Sequence, residues 1–140
     1  MSPLVIVACG ARKAMTPQPA SALYTGSYNR MCLRAARALS DDRDIRILSA
    51  RHGLLELDTV IAPYDTRLGE MDAFTPERLR QQATETGLLD RSVAILAPKA
   101  YVALALHAWP DACTPLAGVG GIGKQRRRLA EIIACANGFR

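Results

Sequence analysis

The chain has 140 residues, 49% of them hydrophobic, which suits one globular domain over residues 1–140 with an ordinary core. Its longest uncharged apolar run, AYVALALHAW, is far below the roughly 20 residues that cross a bilayer, and MSPLVIVACG lacks the basic segment of a signal peptide. We therefore expect a cytoplasmic protein without a membrane partner. The net charge of +5 favours partners that carry phosphate.

The first half of the chain alternates buried strands with helices. Pro3 to Ala8 is a continuous apolar run rich in β-branched residues, which is typical of a strand buried on both faces. Ser27 to Ser40 has the apolar spacing of a helix. Asp44 to Ala50 predicts a second strand, and the segment from Arg51 to Phe74 has a mixed pattern.

The second half begins with a helix whose start and end are both marked. Thr75 suits the cap, Pro76 suits the first helical position, and Gly87 ends the helix after Thr86. Ser92 to Ala97 predicts a third buried strand. Pro98 then opens a helix through KAYVALALHAW, and ACTPLA predicts a weak fourth strand. A glycine turn leads into the last helix, KQRRRLAEIIACA, which Asn137 and Gly138 close.

Four strands, each followed by a helix, predict a three-layer α/β fold of the Rossmann-like kind, with a four-stranded parallel sheet and helices on both faces. Ligands bind such sheets beyond the carboxyl ends of the strands. Those ends are CGARK, SARHG, PKAY and GVGGIGK. We therefore expect the functional residues to lie in these four segments.

The cysteines and histidines lack the close spacing of a zinc site. They are Cys9, Cys32, Cys113, Cys135, His52 and His107. We expect no metal and no cofactor, and we interpret the thiols as those of a reducing compartment.

The glycine turn matches two nucleotide-binding patterns only in part. Gly118, Gly120 and Gly123 have the spacing of a dinucleotide turn, and Gly123 with Lys124 resembles the end of a P-loop. A P-loop follows the first strand and has Ser or Thr after its lysine, whereas this turn follows the last predicted strand and has Gln125 after Lys124. A dinucleotide turn needs a later strand that ends in an acidic residue, and no such strand follows this turn. Two interpretations remain: phosphate binding at the start of the last helix, with Lys124 adding charge, or a turn that lets the helix pack.

The first strand ends in a group of residues suited to an anion. Gly10 permits a sharp turn, while Arg12 and Lys13 can neutralise phosphate, and Lys13 can act as a base when it is desolvated. Cys9 is a candidate ligand contact, and it becomes a candidate nucleophile if His52 is its base.

The segment from Arg51 to Arg67 is the richest in polar residues. Two carboxylates, Asp58 and Asp65, suit a general base and the electrostatic support of a cationic transition state, the requirements for hydrolysing an N-glycosidic bond. Other candidate ligand contacts are aromatic or basic, and they are Arg51, His52, Tyr64, Tyr24, Lys99 and Tyr101. The alternative is that the aspartates cap turns and the tyrosines pack against the sheet.

The motifs VACGARK, ALYTGSYNR, ILSARHGLLELDTVIAPYDTRL, LAPKAY and PLAGVGGIGK, taken in order from Val5 to Leu129, resemble a family of small bacterial and phage proteins classed as a domain of unknown function. That family is distantly similar to the uracil-DNA glycosylase fold and to YaaA-like proteins, and its first motif is similar to the cysteine-containing motif of archaeosine synthase. The resemblance implies a four-stranded parallel sheet and chemistry on a nucleobase or its glycosidic bond.

The chain departs from the glycosylases at two positions. They have an acidic residue just after the first strand and a histidine after the last one, whereas Cys9 to Lys13 contains no carboxylate and the final turn contains glycines. If this protein cleaves a glycosidic bond, Asp58 or Asp65 must replace those groups.

Three hypotheses follow. The first is a glycosylase-like hydrolase acting on a base in DNA or in a nucleotide, with Lys13 and Lys124 holding phosphate, Tyr24 or Tyr64 stacking on the base and His52 donating to it. The second is a non-catalytic module that binds a nucleotide or nucleic acid, and the third is a thiol enzyme built on Cys9. If the partner is a nucleic acid, we expect DNA rather than RNA. We expect the protein to be a monomer or a homodimer.

Overall fold

A four-stranded sheet forms the centre of the protein in a computed structural model, which describes residues 3–138 and the side chains of residues 3–135. The central strands β1 (Leu4–Ala8) and β3 (Ile45–Ser49) are parallel, and β6 (Val93–Leu96) lies parallel to β1 on its other side. β4 (Gly53–Glu56) pairs antiparallel with β3 and completes the order β4-β3-β1-β6. The carboxyl ends of β1, β3 and β6 therefore share one edge of the sheet.

Small elements connect the sheet to its helices. β2 (Gln18–Pro19) pairs antiparallel with β5 (Val60–Ile61), and the short helix α1 (Ala20–Leu23) follows β2 directly. A 3-10 turn over Asp42–Asp44 precedes β3. These elements hold the loop after β1 against the loop after β4.

The helices cover both faces of the sheet. α2 (Ser27–Leu39) and α5 (Ile122–Gly138) lie on the face that receives Val5 and Val7 from β1. α3 (Pro76–Glu85) and α4 (Lys99–Leu106) lie on the opposite face, with Leu4 and Ile6. Alternate residues of a strand point to opposite faces, so a strand covered on both sides is apolar throughout. The predicted α/β class with two helical layers is confirmed.

The prediction of an all-parallel sheet is wrong in its fourth strand. Only three residues separate β3 from β4, and Gly53, the first residue of β4, has a φ of +70°. So short a loop joins antiparallel strands, because a parallel pair needs a crossover of a dozen residues or more. The fourth strand is therefore β4, from the segment that has a mixed sequence pattern.

The segment ACTPLA makes one bridge rather than a strand. Cys113 pairs in parallel with Ala94, donating its N–H to Val93 and accepting from Ile95. Pro115, two residues on, has no N–H to continue such a ladder. The boundaries of α3 follow the predictions, since the Thr75 side chain accepts from the N–H of Arg78 at its start and Gly87 follows it at a φ of +72°. The helix after Pro98 is shorter than predicted, because α4 ends at Leu106 and not at Trp109.

The last helix begins at Ile122, two residues before the predicted start at Lys124. Every helix in the described part of the chain is too short or too polar to cross a membrane.

Candidate functional site

A cavity of about 300 Å³ opens at the carboxyl ends of β1 and β6. Five of the residues predicted for the site line it, and they are Cys9, Gly10, Lys13, Asp65 and Tyr101. Tyr28 and Asn29, from the first turn of α2, form a further wall. A larger groove of about 690 Å³ near the opposite ends of the strands contains none of the predicted residues. The smaller cavity is therefore the candidate functional site.

Cys9 and Tyr101 form one side of the cavity. The Cys9 Sγ lies 3.1 Å from the Tyr101 hydroxyl oxygen, and Cys9 is buried. Burial raises the pKa of the Tyr101 hydroxyl, and the contact with the thiol raises it further. Tyr101 therefore keeps its proton at neutral pH and can act as a donor.

Gly10 provides the space for the Asn29 side chain. The Nδ2 of Asn29 donates to the carbonyl oxygen of Ala8 at 3.0 Å, which ties the start of α2 to the end of β1. A Cβ atom on Gly10 would lie 2.1 Å from the Asn29 Oδ1. A side chain at position 10 would therefore displace the Asn29 amide from its bond to Ala8.

Lys13 lies over the face of an aromatic ring. Its Nζ is 4.4 Å from the ring centroid of Tyr64 and 5.8 Å from that of Tyr24. The electron-rich faces of both rings attract the ammonium group. These contacts hold the charge of Lys13 beside the cavity.

A chain of hydroxyl groups lies under Lys13. The N–H groups of Arg51 and His52 donate to the Ser49 Oγ at 3.1 and 3.0 Å. A hydroxyl oxygen has two lone pairs and one hydrogen, so Ser49 directs its hydrogen to the Tyr64 hydroxyl, 2.6 Å away. Tyr24 completes the chain with a hydroxyl contact of 2.5 Å to Tyr64.

Burial keeps these two phenols protonated. Desolvation raises the pKa of Tyr24 to about 12, and it raises the pKa of Tyr64 further. Neither tyrosine is among the residues that line the cavity. They contact Lys13 from outside the cavity through their ring faces.

His52 packs on this chain from one side. Its ring meets the Tyr64 ring edge to face, with 5.2 Å between centroids. Desolvation lowers the pKa of His52, and the charge of Arg51 lowers it further. The structure places the imidazole next to Tyr64 and not in the cavity lining.

The two candidate carboxylates lie in different places. Asp65 is exposed and lines the cavity beside Thr66 and Arg67. Asp58 is exposed in the turn between β4 and β5, outside the lining. Asp65 is therefore the carboxylate that can reach a ligand in this cavity.

Three of the predicted basic contacts are exposed and lie outside the lining, and they are Arg12, Arg51 and Lys99. Arg12 contributes its carbonyl oxygen to a bond from Thr25. Lys99 begins α4, next to Pro98, which does line the cavity.

The glycine turn lies near the cavity without lining it. Gly118 and Gly120 have φ values of +73° and +116°, a region that favours glycine, whereas Gly123 and Lys124 are exposed in the first turn of α5. Gln125 connects the turn to the cavity wall. Its Nε2 donates to the carbonyl oxygen of Gly120 at 3.0 Å, and its Oε1 accepts from the Tyr28 hydroxyl at 2.6 Å.

Sequence reasoning missed the contribution of Tyr28 and Asn29. Both belong to the helical segment after the first strand, whose apolar spacing predicts a helix but does not mark these two residues as part of a site. Their position in the sequence could have identified them, because the first turn of α2 lies at the edge of the sheet where β1 ends.

Comparison with known families gives a match over most of the chain. The model of a family of unknown function (DUF6884) matches residues 4–131. No curated protein and no solved structure matches the chain significantly. The chain therefore belongs to this family of unknown function.

Proposed function

We propose that the protein is a hydrolase of N-glycosidic bonds that acts in the cytoplasm on a nucleobase of DNA or of a nucleotide. The observation that supports this proposal is the meeting of two aromatic side chains, Tyr28 and Tyr101, with Lys13 and Asp65 around one cavity.

The cavity suits a single flat ring. Its volume of about 300 Å³ is at the small end of ligand sites. Tyr28 and Tyr101 offer aromatic surface for stacking, and the Tyr101 hydroxyl offers a hydrogen-bond donor to a base edge. We assign the stacking role to these residues rather than to Tyr24 and Tyr64, whose hydroxyls are bonded to each other outside the lining.

Asp65 has the role of general base in this proposal. Its carboxylate takes a proton from water as the water oxygen bonds to the sugar carbon, and the electron pair of the broken carbon–nitrogen bond leaves with the base. The base nitrogen takes up a proton, for which the Lys13 ammonium is the adjacent donor. The charge of Asp65 also stabilises the positive charge that develops on the sugar. His52 acts through Tyr64 as a positioning residue.

The phosphate of the substrate binds at the glycine turn in this proposal. The turn is exposed, the first N–H groups of a helix lack intrahelical partners, and Lys124 adds a positive charge. The bonds from Gln125 to Tyr28 and to Gly120 connect this turn to the cavity wall.

The first test is mass spectrometry of the small molecules released from pooled nucleotides, native DNA and modified phage DNA. We expect a free base from the wild-type protein and none from Asp65→Asn, which should still bind the substrate. Asp58→Asn is the matched control, and it should retain activity because Asp58 lies outside the cavity. Unchanged nucleotide binding in both Lys13→Ala and Lys124→Ala would contradict the proposal.

A binding module without turnover is the second candidate. The exposure of Asp65 favours it, because catalytic carboxylates are commonly desolvated. Co-purification of a nucleotide, with no released base from any substrate, would support this candidate.

A thiol enzyme built on Cys9 is tested by the same assay of released products. It requires the Cys9→Ser protein to be inactive while the Asp58→Asn and Asp65→Asn proteins stay active.

A further inference from the structure

The positive charge of the protein is concentrated in one of its two helical layers. α2 contains three arginines and no acidic residue, and α5 contains four basic residues and one glutamate. The two helices together carry +6, whereas the whole chain carries +5, so the remainder of the chain has a net charge of −1. On the opposite layer, α3 has two basic and two acidic residues and α4 has one lysine, so these two helices together carry only +1.

The basic side chains of α2 point away from the sheet. Arg30, Arg34 and Arg37 are spaced four and three residues apart, which aligns them on one side of the helix. The buried residues Cys32, Ala35 and Ala36 occupy the opposite side. At 1.5 Å per residue, the three arginines span about 10 Å of the helix.

The start of α5 lies beside α2 and extends this surface. The Tyr28 hydroxyl donates to Gln125, and Arg126 donates to the Ser27 hydroxyl. Lys124 and Arg127 are exposed on the side of α5 opposite the buried Leu129. We call the resulting surface the two-helix basic face, and it consists of Arg30, Arg34, Arg37, Lys124 and Arg127.

Most of this charge is free to meet a partner. Within the face, Arg37 pairs with Asp42 at 2.9 Å, and both side chains are largely exposed. Among the described residues, Arg30, Arg34, Lys124 and Arg127 form no ion pair with a carboxylate. Such a row of unpaired cations is typical of a surface that follows a phosphate backbone.

We infer that the two-helix basic face binds the phosphate backbone of a DNA strand and delivers one of its bases to the cavity. The inference rests on the proposed function and specifies its substrate as polymeric DNA rather than a free nucleotide. Tyr28 and Asn29, at the start of α2, connect the face to the cavity. Because about 300 Å³ holds one base and not a base pair, a duplex must present a flipped base.

The test measures DNA binding as a function of salt concentration. The probes are a single-stranded DNA oligonucleotide, its duplex, the RNA of the same sequence and vesicles of anionic phospholipid. The variant combines Arg30→Gln, Arg34→Gln and Arg127→Gln. We expect it to bind single-stranded DNA at least about tenfold more weakly, and we expect the slope of log affinity against log salt to decrease in magnitude by about 2, at roughly 0.7 per lost phosphate contact.

The matched control combines Arg78→Gln and Arg80→Gln on α3, at exposed positions of the opposite layer. It should keep the affinity and the slope of the wild-type protein, and all variants should unfold at the same temperature. An equal loss in the control and the variant overturns the inference. Binding to vesicles or RNA in preference to DNA also overturns it.

The two proposals can fail separately. If the wild-type protein binds DNA through this face but releases no base, DNA binding by the face stands, the hydrolase proposal fails, and the protein is a binding module. If it releases a base from free nucleotides but does not bind DNA, the hydrolase proposal stands and the inference is overturned.

Discussion

The Tyr64 hydroxyl oxygen lies 2.6 Å from the Oγ of Ser49, a side chain with no solvent exposure. Ser49→Ala removes this bond and also the acceptor for the N–H groups of Arg51 and His52. We expect a loss of about 1–3 kcal/mol in the free energy of unfolding, because buried polar groups lose their partners. Urea unfolding measures this loss.

Thr84→Ala is the control for Ser49→Ala. Thr84 is exposed on α3, and its hydroxyl donates to the carbonyl oxygen of Arg80 at 2.8 Å. Its removal should change stability little, since water replaces the lost bond. Equal effects of the two substitutions would mean that the hydroxyl chain has no special role in stability.

Gly10→Ala tests the close contact between β1 and α2. The added methyl group would displace the Asn29 side chain and break its bond to Ala8. We expect a destabilisation of about 1–3 kcal/mol. In an Asn29→Ala background the same substitution should cost much less, because the clashing atoms are gone. A double-mutant cycle by urea unfolding measures this coupling, and additive effects would contradict the proposed clash.

The lowered pKa of His52 predicts a loss of stability in acid. As the pH falls below 6.5, the ordinary value for histidine, the unfolded chain takes up the proton before the folded protein does. The stability from the neutral His52 is therefore complete above this pH and decreases as the pH falls toward the folded pKa. The urea midpoint of wild-type protein should fall more steeply in mild acid than that of His52→Gln. Parallel pH profiles would contradict this assignment.

Leu129→Ala tests how α5 is held on the sheet. Leu129 has no solvent exposure and packs in the cluster formed with β1 and α2. We expect a loss of about 2–5 kcal/mol in the free energy of unfolding from the cavity it leaves. Ile122→Ala, at a side chain that is 51% exposed on the same helix, should cost much less. Similar losses at both positions would contradict the packing described for α5.

Local patterns predicted the elements with strong signals. The apolar runs gave β1, β3 and β6 to within one or two residues, and Thr75 with Pro76 marked the start of α3. The antiparallel β4 was not predicted, because Gly53–Glu56 is only four residues long and lacks the alternation of apolar and polar residues that marks a strand. Its pairing depends on the loop before Gly53 and on a partner strand, which composition does not reveal.

The sequence predicted those residues of the candidate site that lie at strand ends, but not those whose position depends on the course of a loop. Cys9, Lys13 and Tyr101 follow directly from the rule that ligands meet the carboxyl ends of parallel strands. Asp58 and Asp65 could not be separated, because both lie in one polar segment and only the course of that loop places Asp65 at the cavity. The basic residues of α2 and α5 are far apart in the sequence, so composition does not show that they share a surface. They do so because α5 packs beside α2.

The contact between Cys9 and Tyr101 joins residues that are 92 positions apart in the chain. The pairing of β3 with β4 is local, whereas the pairing of Leu4 with Val93 closes a long loop. Non-local contacts of this kind form slowly during folding, because the entropy of loop closure must be overcome first. The cavity is thus assembled only when β6 docks on β1, and the burial of the Cys9 thiol against alkylating reagents will report the completion of folding.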